Sequence, residues 1–313
     1  MVDYDPHRWT QHFFDVRGSM VRDILGRVLA CVVWAAAVVA FHRWVHPVSV
    51  PATPHTLVGT ALGLLLVFRT NASYDRFWEG RKLWGGIVNE TRNLGRSAGV
   101  FLAPEPGLLR ELLHWTAAFP YAAAGVLRGG APELGPSAEA LPAERVARVR
   151  ASQHVALAVA RQASALLDAG RRQGLYGEVA QVSMDQNLQQ LVDYLGGCER
   201  IHRTPLPFAY VVHLRRALVL YCFTLPFALV DGFGWLTVAA TLLIAYVFFG
   251  IEEIGVEIED PFGHDDNDLP LDRICQTIRG NLLGMLPEEA AGGAPGRAPA
   301  PPVAVAGAGG RGG

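Results

Sequence analysis

Arg69-Thr-Asn-Ala-Ser-Tyr-Asp-Arg-Phe-Trp-Glu-Gly-Arg-Lys-Leu-Trp-Gly85 follows directly on the apolar run 56–68. Small and aliphatic residues are at home at membrane depth. Arg69, Asp75, Arg76, Glu79, Arg81 and Lys82 instead demand water or counter-charges. One helix that leaves a bilayer near Phe68 and continues into water satisfies both halves, and the pattern extends it through Trp84 towards residues 89–96.

Working outward, the remaining apolar density is concentrated at 24–45, 217–230 and 233–251, whereas 104–203 reads as water-soluble sequence. Segment 233–251 carries no charge over its 19 residues, close to the ~20 that a crossing needs. The other runs are shorter in their purest part. They extend if Arg22, Arg27, Arg43, Arg215 and Arg216 reach the interface along their apolar stems. Runs of ~10–14 residues are also what buried soluble helices present, so a soluble helical core is the competing reading. At 50% hydrophobic and a mean hydropathy of +0.22, composition alone does not separate the two; the clustering favours four membrane helices, at 24–45, 56–80, 210–231 and 233–255.

Arg8, Arg17, Arg22 and Arg27 gather before and at the start of the first span, and Arg43 stands alone after it. The positive-inside rule then puts the N-terminus in the cytoplasm, and four spans return the C-terminus to the same side. Residues 1–20 lack the compact apolar core of a removable signal. The expected location is the cell membrane, multi-pass, with both termini cytoplasmic. Cys31, Cys198, Cys222 and Cys275 are scattered without C-x-x-C spacing, which argues against a disulfide framework or zinc cluster. A net charge of −2 and the absence of a phosphate-binding glycine loop exclude a generally basic nucleic-acid binder.

Between the spans, residues 108–127, 144–167 and 181–201 show helical spacing of apolar positions, and a short helix is expected near 271–283. The cytosolic helices therefore occupy 81–205 and 257–286. With the spans they form a single unit over 1–286, followed by an Ala/Gly/Pro tail at 287–313 that cannot bury a core and is expected to be disordered. The fold class is all-α.

Thr60, Leu64 and Phe68 are spaced i, i+4, i+8 and share one face of the second membrane helix. Any apolar helix has such a stripe. Several copies around an axis would instead form hydrophobic rings that gate ions by dewetting.

Three segments add a family resemblance: 69–85; Gly197-Cys-Glu-Arg-Ile201 with Pro205-Leu-Pro-Phe-Ala-Tyr210; and Glu252-Glu-Ile-Gly-Val-Glu-Ile-Glu-Asp-Pro-Phe-Gly263 with Asn267-Asp-Leu-Pro-Leu-Asp272. In this order they resemble the bestrophin family, in its bacterial branch, over most of residues 10–285. The resemblance implies a homopentameric channel in a lipid bilayer that passes small inorganic ions, with the second span lining the pore and no cofactor required. Aligned on Asp75-Arg-Phe-Trp78, the family's neck positions fall on Thr60, Leu64 and Phe68, with Thr60 departing from the usual bulkier aliphatic. A second constriction, a cytosolic aperture, falls at Val179, with Val182 as the competing choice. The segment after the last span aligns with the calcium clasp of animal bestrophins, making Asp260, Asp265 and Asp268 candidate Ca2+ ligands. Against that, His264 replaces an acid, and the EF-hand glycine and terminal glutamate are missing. Helix capping or pairing between subunits is the alternative role of these carboxylates.

The acidic turn 252–260 is expected either to pair with Arg76, Arg81 or Lys82 or to be a solvated surface. The functional expectation is a passive channel for monovalent ions with a slight preference for cations over chloride, because the family contains both kinds and this chain leans acidic. The rivals are a chloride channel of the same fold, a membrane-anchored enzyme using Asp168, Asp185, Asp193 or Glu199, and a scaffold without a pore. No convergent nucleophile or base accompanies those acids in the sequence, so no catalytic residue is assigned.

Overall fold

A computed structural model of the chain describes residues 20–130 and 133–286. The N-terminal segment 1–19 and the tail 287–313, where the absence of a signal and the disorder were expected, lie outside the described residues. Among the described residues the architecture is all-helical, without strands. The helices are α1 (Val21–Trp44), α2 (Ala52–Phe101), α3 (Pro106–Leu127), α4 (Ala143–Arg150), α5 (Val155–Arg172), α6 (Glu178–Arg203), α7 (Phe208–Phe233), α8 (Leu236–Glu257) and α9 (Leu271–Leu283). A 3-10 turn at Pro136–Ala140 precedes α4. Four of these helices, α1, α2, α7 and α8, are long and apolar enough to cross a membrane.

The second span does run on without a break. α2 contains 50 residues, about 75 Å at ~1.5 Å per residue, against a hydrocarbon core of ~30 Å. Its only proline is Pro54, in the first turn, where no intrahelical N–H is lost. One line of residues, including Leu62, Leu66, Arg69, Ser73, Gly80, Trp84, Ile87, Leu94 and Ala98, is buried along it. These positions recur three, four or seven apart, so from Leu62 onward a single face is committed to packing.

That face serves two separate cores. In the membrane part, Leu62 and Leu66 pack with Ile24 and Val28 of α1, Leu214 and Leu218 of α7, and Ala245 and Phe249 of α8. At the far end Trp44 and Trp235 meet edge-on at 6.0 Å and stay largely exposed, as aromatic side chains do at a membrane–water interface. Beyond the membrane, Trp84, Ile87 and Leu94 join a larger core built around α3, which is buried on nearly every side, together with α5, α6 and α9.

Two connections differ from the sequence reading. The pattern at 144–167 is broken into α4 and α5, because His154 is extended and its Nδ1 accepts the Leu157 N–H at 3.3 Å, capping a new helix. Where the sequence placed spans at 210–231 and 233–255, the first of these runs on to Phe233, and the chain reverses at Gly234, with φ +51°, and Trp235.

Gly95 marks the tightest three-way contact of the larger core: a Cβ there would stand 2.6 Å from Leu282 and 3.0 Å from the Met285 sulfur. Leu282 is fully buried and has little room to retreat. Gly95→Ala is expected to destabilise by about 1–3 kcal/mol through overpacking, read as a lower Tm in detergent. Gly99→Ala, where a Cβ meets nothing within 4 Å, should leave Tm unchanged or raise it.

Candidate functional site

The face of α2 opposite its buried line has no partner within the subunit. Thr60, Leu64 and Phe68 lie on it, and Leu64 and Phe68 are 56% and 58% exposed. Eight residues of helix space this stripe over about 12 Å. The Thr60 hydroxyl donates to the Thr56 carbonyl at 2.9 Å, so its hydrogen is used within its own helix. Beside it a cavity of about 590 Å³ is lined by His55, Thr56, Gly59, Thr60 and Tyr221.

Below Phe68 the exposed face changes character through Asn71, Asp75, Trp78 and Lys82, which the neck assignment by itself did not single out. The i+3/i+4 continuation of the stripe is the signal that locates them. Further along, Glu90, Asn93 and Arg96 of α2 and Ser183, Gln186 and Gln190 of α6 line a polar groove of about 690 Å³. Val179 and Val182 sit in the first two turns of α6, three residues apart, and both are exposed. One subunit brings the two valines to the same region and does not choose between them.

At the junction of the two cores, Glu252 of α8 is 2% exposed and meets three guanidinium groups. Its Oε1 accepts from Arg69 at 2.6 Å and Arg215 at 2.9 Å, and its Oε2 from Arg27 at 3.3 Å. Arg69 is itself 1% exposed. Such a buried charge is tolerated because the opposite charge and the hydrogen bonds arrive together. The expected partners of the acidic turn are therefore corrected. Arg27, Arg69 and Arg215 take Glu252, and Arg27 also reaches Glu253 at 2.8 Å. Arg76 instead donates to the backbone carbonyls of Glu259 at 3.0 Å, Ile201 at 2.7 Å and Thr204. It thereby ties α2 to the ends of α6 and α8. What the sequence reading missed was the convergence of charges from four spans: it had read Arg27 and Arg215 as interfacial anchors, Arg69 as part of the charged junction after 56–68 and Glu252 as part of the acidic turn.

The candidate calcium ligands are not gathered into a ligand set. Among the described residues no three His, Cys, Asp or Glu side chains are placed to hold a metal ion. Asp260 Oδ1 accepts the Phe262 N–H at 3.3 Å, and its Oδ2 is 3.4 Å from His202. Asp268 is buried, and its Oδ2 accepts the Asp265 N–H at 2.7 Å. Asp265 thus contributes its backbone rather than its exposed carboxylate. Burial, together with the charges of Asp265 and Asp260, pushes the Asp268 carboxyl up from 3.8 to about 6. Three of the four acids considered for catalysis are paired with neighbouring side chains. Asp168 pairs with Arg171 and Arg172, Asp185 accepts from Ser164 at 2.7 Å, and Glu199 meets His154 at 2.9 Å. Asp193 is exposed on α6.

Fold and site together define a helical membrane protein whose second span leaves an apolar stripe uncovered above a polar groove. The sequence profile of the family described as Bacterial/Fungal Bestrophin protein matches residues 1–284, and the chain belongs to that family. A voltage-dependent anion channel-forming protein of Nostoc sp. is 41% identical over 280 residues, 88% of this chain and 90% of its own. One of Escherichia coli is 34% identical over 287 residues, 91% of this chain and 94% of its own. The crystal structure of a bacterial bestrophin homolog from Klebsiella pneumoniae superposes with a TM-score of 0.80 at 34% identity, covering 84% of this chain and 98% of that one.

Removing the acid from the buried cluster should cost far more than removing a peripheral base. Glu252→Ala strands Arg69 without its counter-charge and is expected to cost about 3–5 kcal/mol. Arg27→Ala, at a side chain 44% exposed, should cost about 0–1 kcal/mol; Tm of both variants in the same detergent gives the comparison. Separately, the surroundings of Asp268 favour its neutral form. Its contribution to stability is therefore full below about 3.8 and lost as pH rises through about 6. Asp268→Asn should flatten this dependence, measured as Tm between pH 4 and pH 7.

Proposed function

We propose that the protein is a passive ion channel formed by five copies of the chain, with the Leu64 and Phe68 rings of α2 as its narrowest part. The observation that carries this reading is the uncovered stripe. A helix packed along one face from Leu62 to Ala98 leaves Thr60, Leu64 and Phe68 bare on the other, in a family whose relatives are named as channel-forming. Rings of such side chains exclude water and set a barrier that depends on pore width rather than on ion sign. The helical body and both termini are assigned to the cytoplasm. Arg22 and Arg27 of α1 and Arg215 and Arg216 of α7 cluster at the body end of the spans, against Arg43 at the other.

For selectivity we propose anions. The relatives of Nostoc sp. and Escherichia coli are named as anion channels, and the cation preference expected from net charge finds no support in them. Local charge agrees. Along α2 beyond the membrane, Arg76, Arg81, Lys82, Arg92 and Arg96 outnumber Asp75, Glu79 and Glu90, and Glu79 is neutralised by Arg200 at 2.6 Å. A basic vestibule raises the local anion concentration and falls off with salt.

Purified protein in planar bilayers tests both parts. Phe68→Ala is expected to raise conductance or open probability severalfold, with native mass spectrometry still giving an assembly of five 33.8 kDa chains. Unchanged currents from an intact assembly would remove the neck. Under a KCl gradient the reversal potential should move towards that of chloride, and a shift towards potassium would replace the anion reading with a cation one.

A further inference from the structure

Outside the candidate pore, one cavity combines charge and apolar surface in a way the channel reading leaves unused. It has a volume of about 330 Å³, lies among α1, α7 and α8, and is lined by Arg27, Arg215, Leu218, Val219, Phe249 and Glu252. Its depth follows from the helices. Arg27 is six residues into α1, Arg215 seven residues into α7, and Glu252 five residues before the end of α8. At ~1.5 Å per residue all three lie about 8–10 Å inside the helix ends that adjoin the helical body. This is the headgroup level of the leaflet on that side.

Chemistry separates this cavity from an ordinary ion-pair cluster. Three guanidinium groups converge on Glu252, and its two oxygens are already occupied, Oε1 by Arg69 and Arg215 and Oε2 by Arg27. Each guanidinium has five N–H donors. Arg27 and Arg215 line the cavity and are 44% and 52% exposed, so each keeps N–H donors beyond those that reach Glu252. Arg27 has a second carboxylate in Glu253, which leaves Arg215 as the cation with the larger unneutralised share. The rest of the lining is aliphatic and aromatic, and Val219 is 57% exposed.

We propose that this cavity holds the phosphate of an anionic membrane phospholipid, with Arg215 and Arg27 donating to the phosphate oxygens and an acyl chain running along Leu218, Val219 and Phe249. A phosphate matches the planar guanidinium fork, and a basic pocket between spans beside an apolar wall suits a headgroup and tail together. The lipid then completes a charge cluster that joins α1, α2, α7 and α8, and acts as a clamp on their packing.

The test is native mass spectrometry on the delipidated full-length assembly, titrated in separate arms with phosphatidylglycerol, phosphatidylcholine and inorganic phosphate. Phosphatidylglycerol adducts are expected at about tenfold lower concentration than phosphatidylcholine adducts, and Arg215→Gln should remove about tenfold of that preference. Val219→Trp fills the cavity while leaving every charge around Glu252 in place, and it should abolish the adducts without lowering Tm; it carries the test if Arg215→Gln fails to fold. Equal adduct ratios in wild type and both variants would overturn the proposal, as would displacement of the lipid by inorganic phosphate at matched concentration. A change in subunit number in the Val219→Trp assembly would also overturn it, by showing that a neighbouring copy covers the cavity.

Discussion

One carboxylate, that of Glu252, holds the four spans to one another. It is reached by Arg27 from α1, Arg69 from α2 and Arg215 from α7, so a single side chain of α8 is bonded to each of the other three membrane helices. Hydrophobic packing between spans discriminates weakly against lipid, because lipid tails are as apolar as Leu or Val. A desolvated ion pair discriminates strongly, since sliding α2 against α8 by a turn separates Arg69 from Glu252, 1% and 2% exposed, and leaves both charges buried without each other. The register of the bundle follows from that asymmetry. Leu62, Leu66, Leu214, Leu218 and Phe249 fill the space around the cluster.

Because Arg69 sits one residue beyond Phe68, the cluster also fixes the rotation of α2 about its axis. Arg69 points inward to Glu252, so Phe68, Leu64 and Thr60 are carried to the outward face. Arg76 repeats the constraint two turns later through the carbonyls at the ends of α6 and α8. The helix is thus held at two points, and one continuous backbone joins its membrane part to Trp84, Ile87 and Leu94 in the larger core.

Much of the fold was legible because the signals were local. The continuous second helix followed from charge arriving directly after 56–68, and the helix at 271–283 followed from its apolar spacing. The cap at His154 was not legible, since imidazole seldom accepts a backbone N–H at a helix start and the apolar period runs through the break. For the site, the i, i+4, i+8 stripe was readable from helix geometry alone. The arginine cluster was not, because its members are far apart in sequence: Arg27 and Arg215 singly resemble ordinary interfacial anchors, and Arg69 merges with the charges that follow it. Only the tertiary arrangement shows that they share one acid.

The separation between a neutral constriction and distant charge bears on how such a pore would discriminate between ions. An apolar stretch of about 12 Å raises the energy of any ion by removing its water, whatever its sign. Sign must come from charges within reach of the barrier, and at physiological salt that reach is about 8 Å. Asp75 and Arg76, seven and eight residues or about 10 and 12 Å along α2 from Phe68, lie near that limit with opposite charge; Lys82 lies about 21 Å away, and Arg92 and Arg96 more than 35 Å. In such a pore the distant basic residues would act on the concentration of waiting ions, and only Asp75 and Arg76 would act on the crossing itself. Asp75 is exposed on the Phe68 face, whereas Arg76 is turned to the carbonyls of Glu259, Ile201 and Thr204. The acid would therefore oppose the distant basic field, and ionic strength would set their balance, because screening weakens the distant field more.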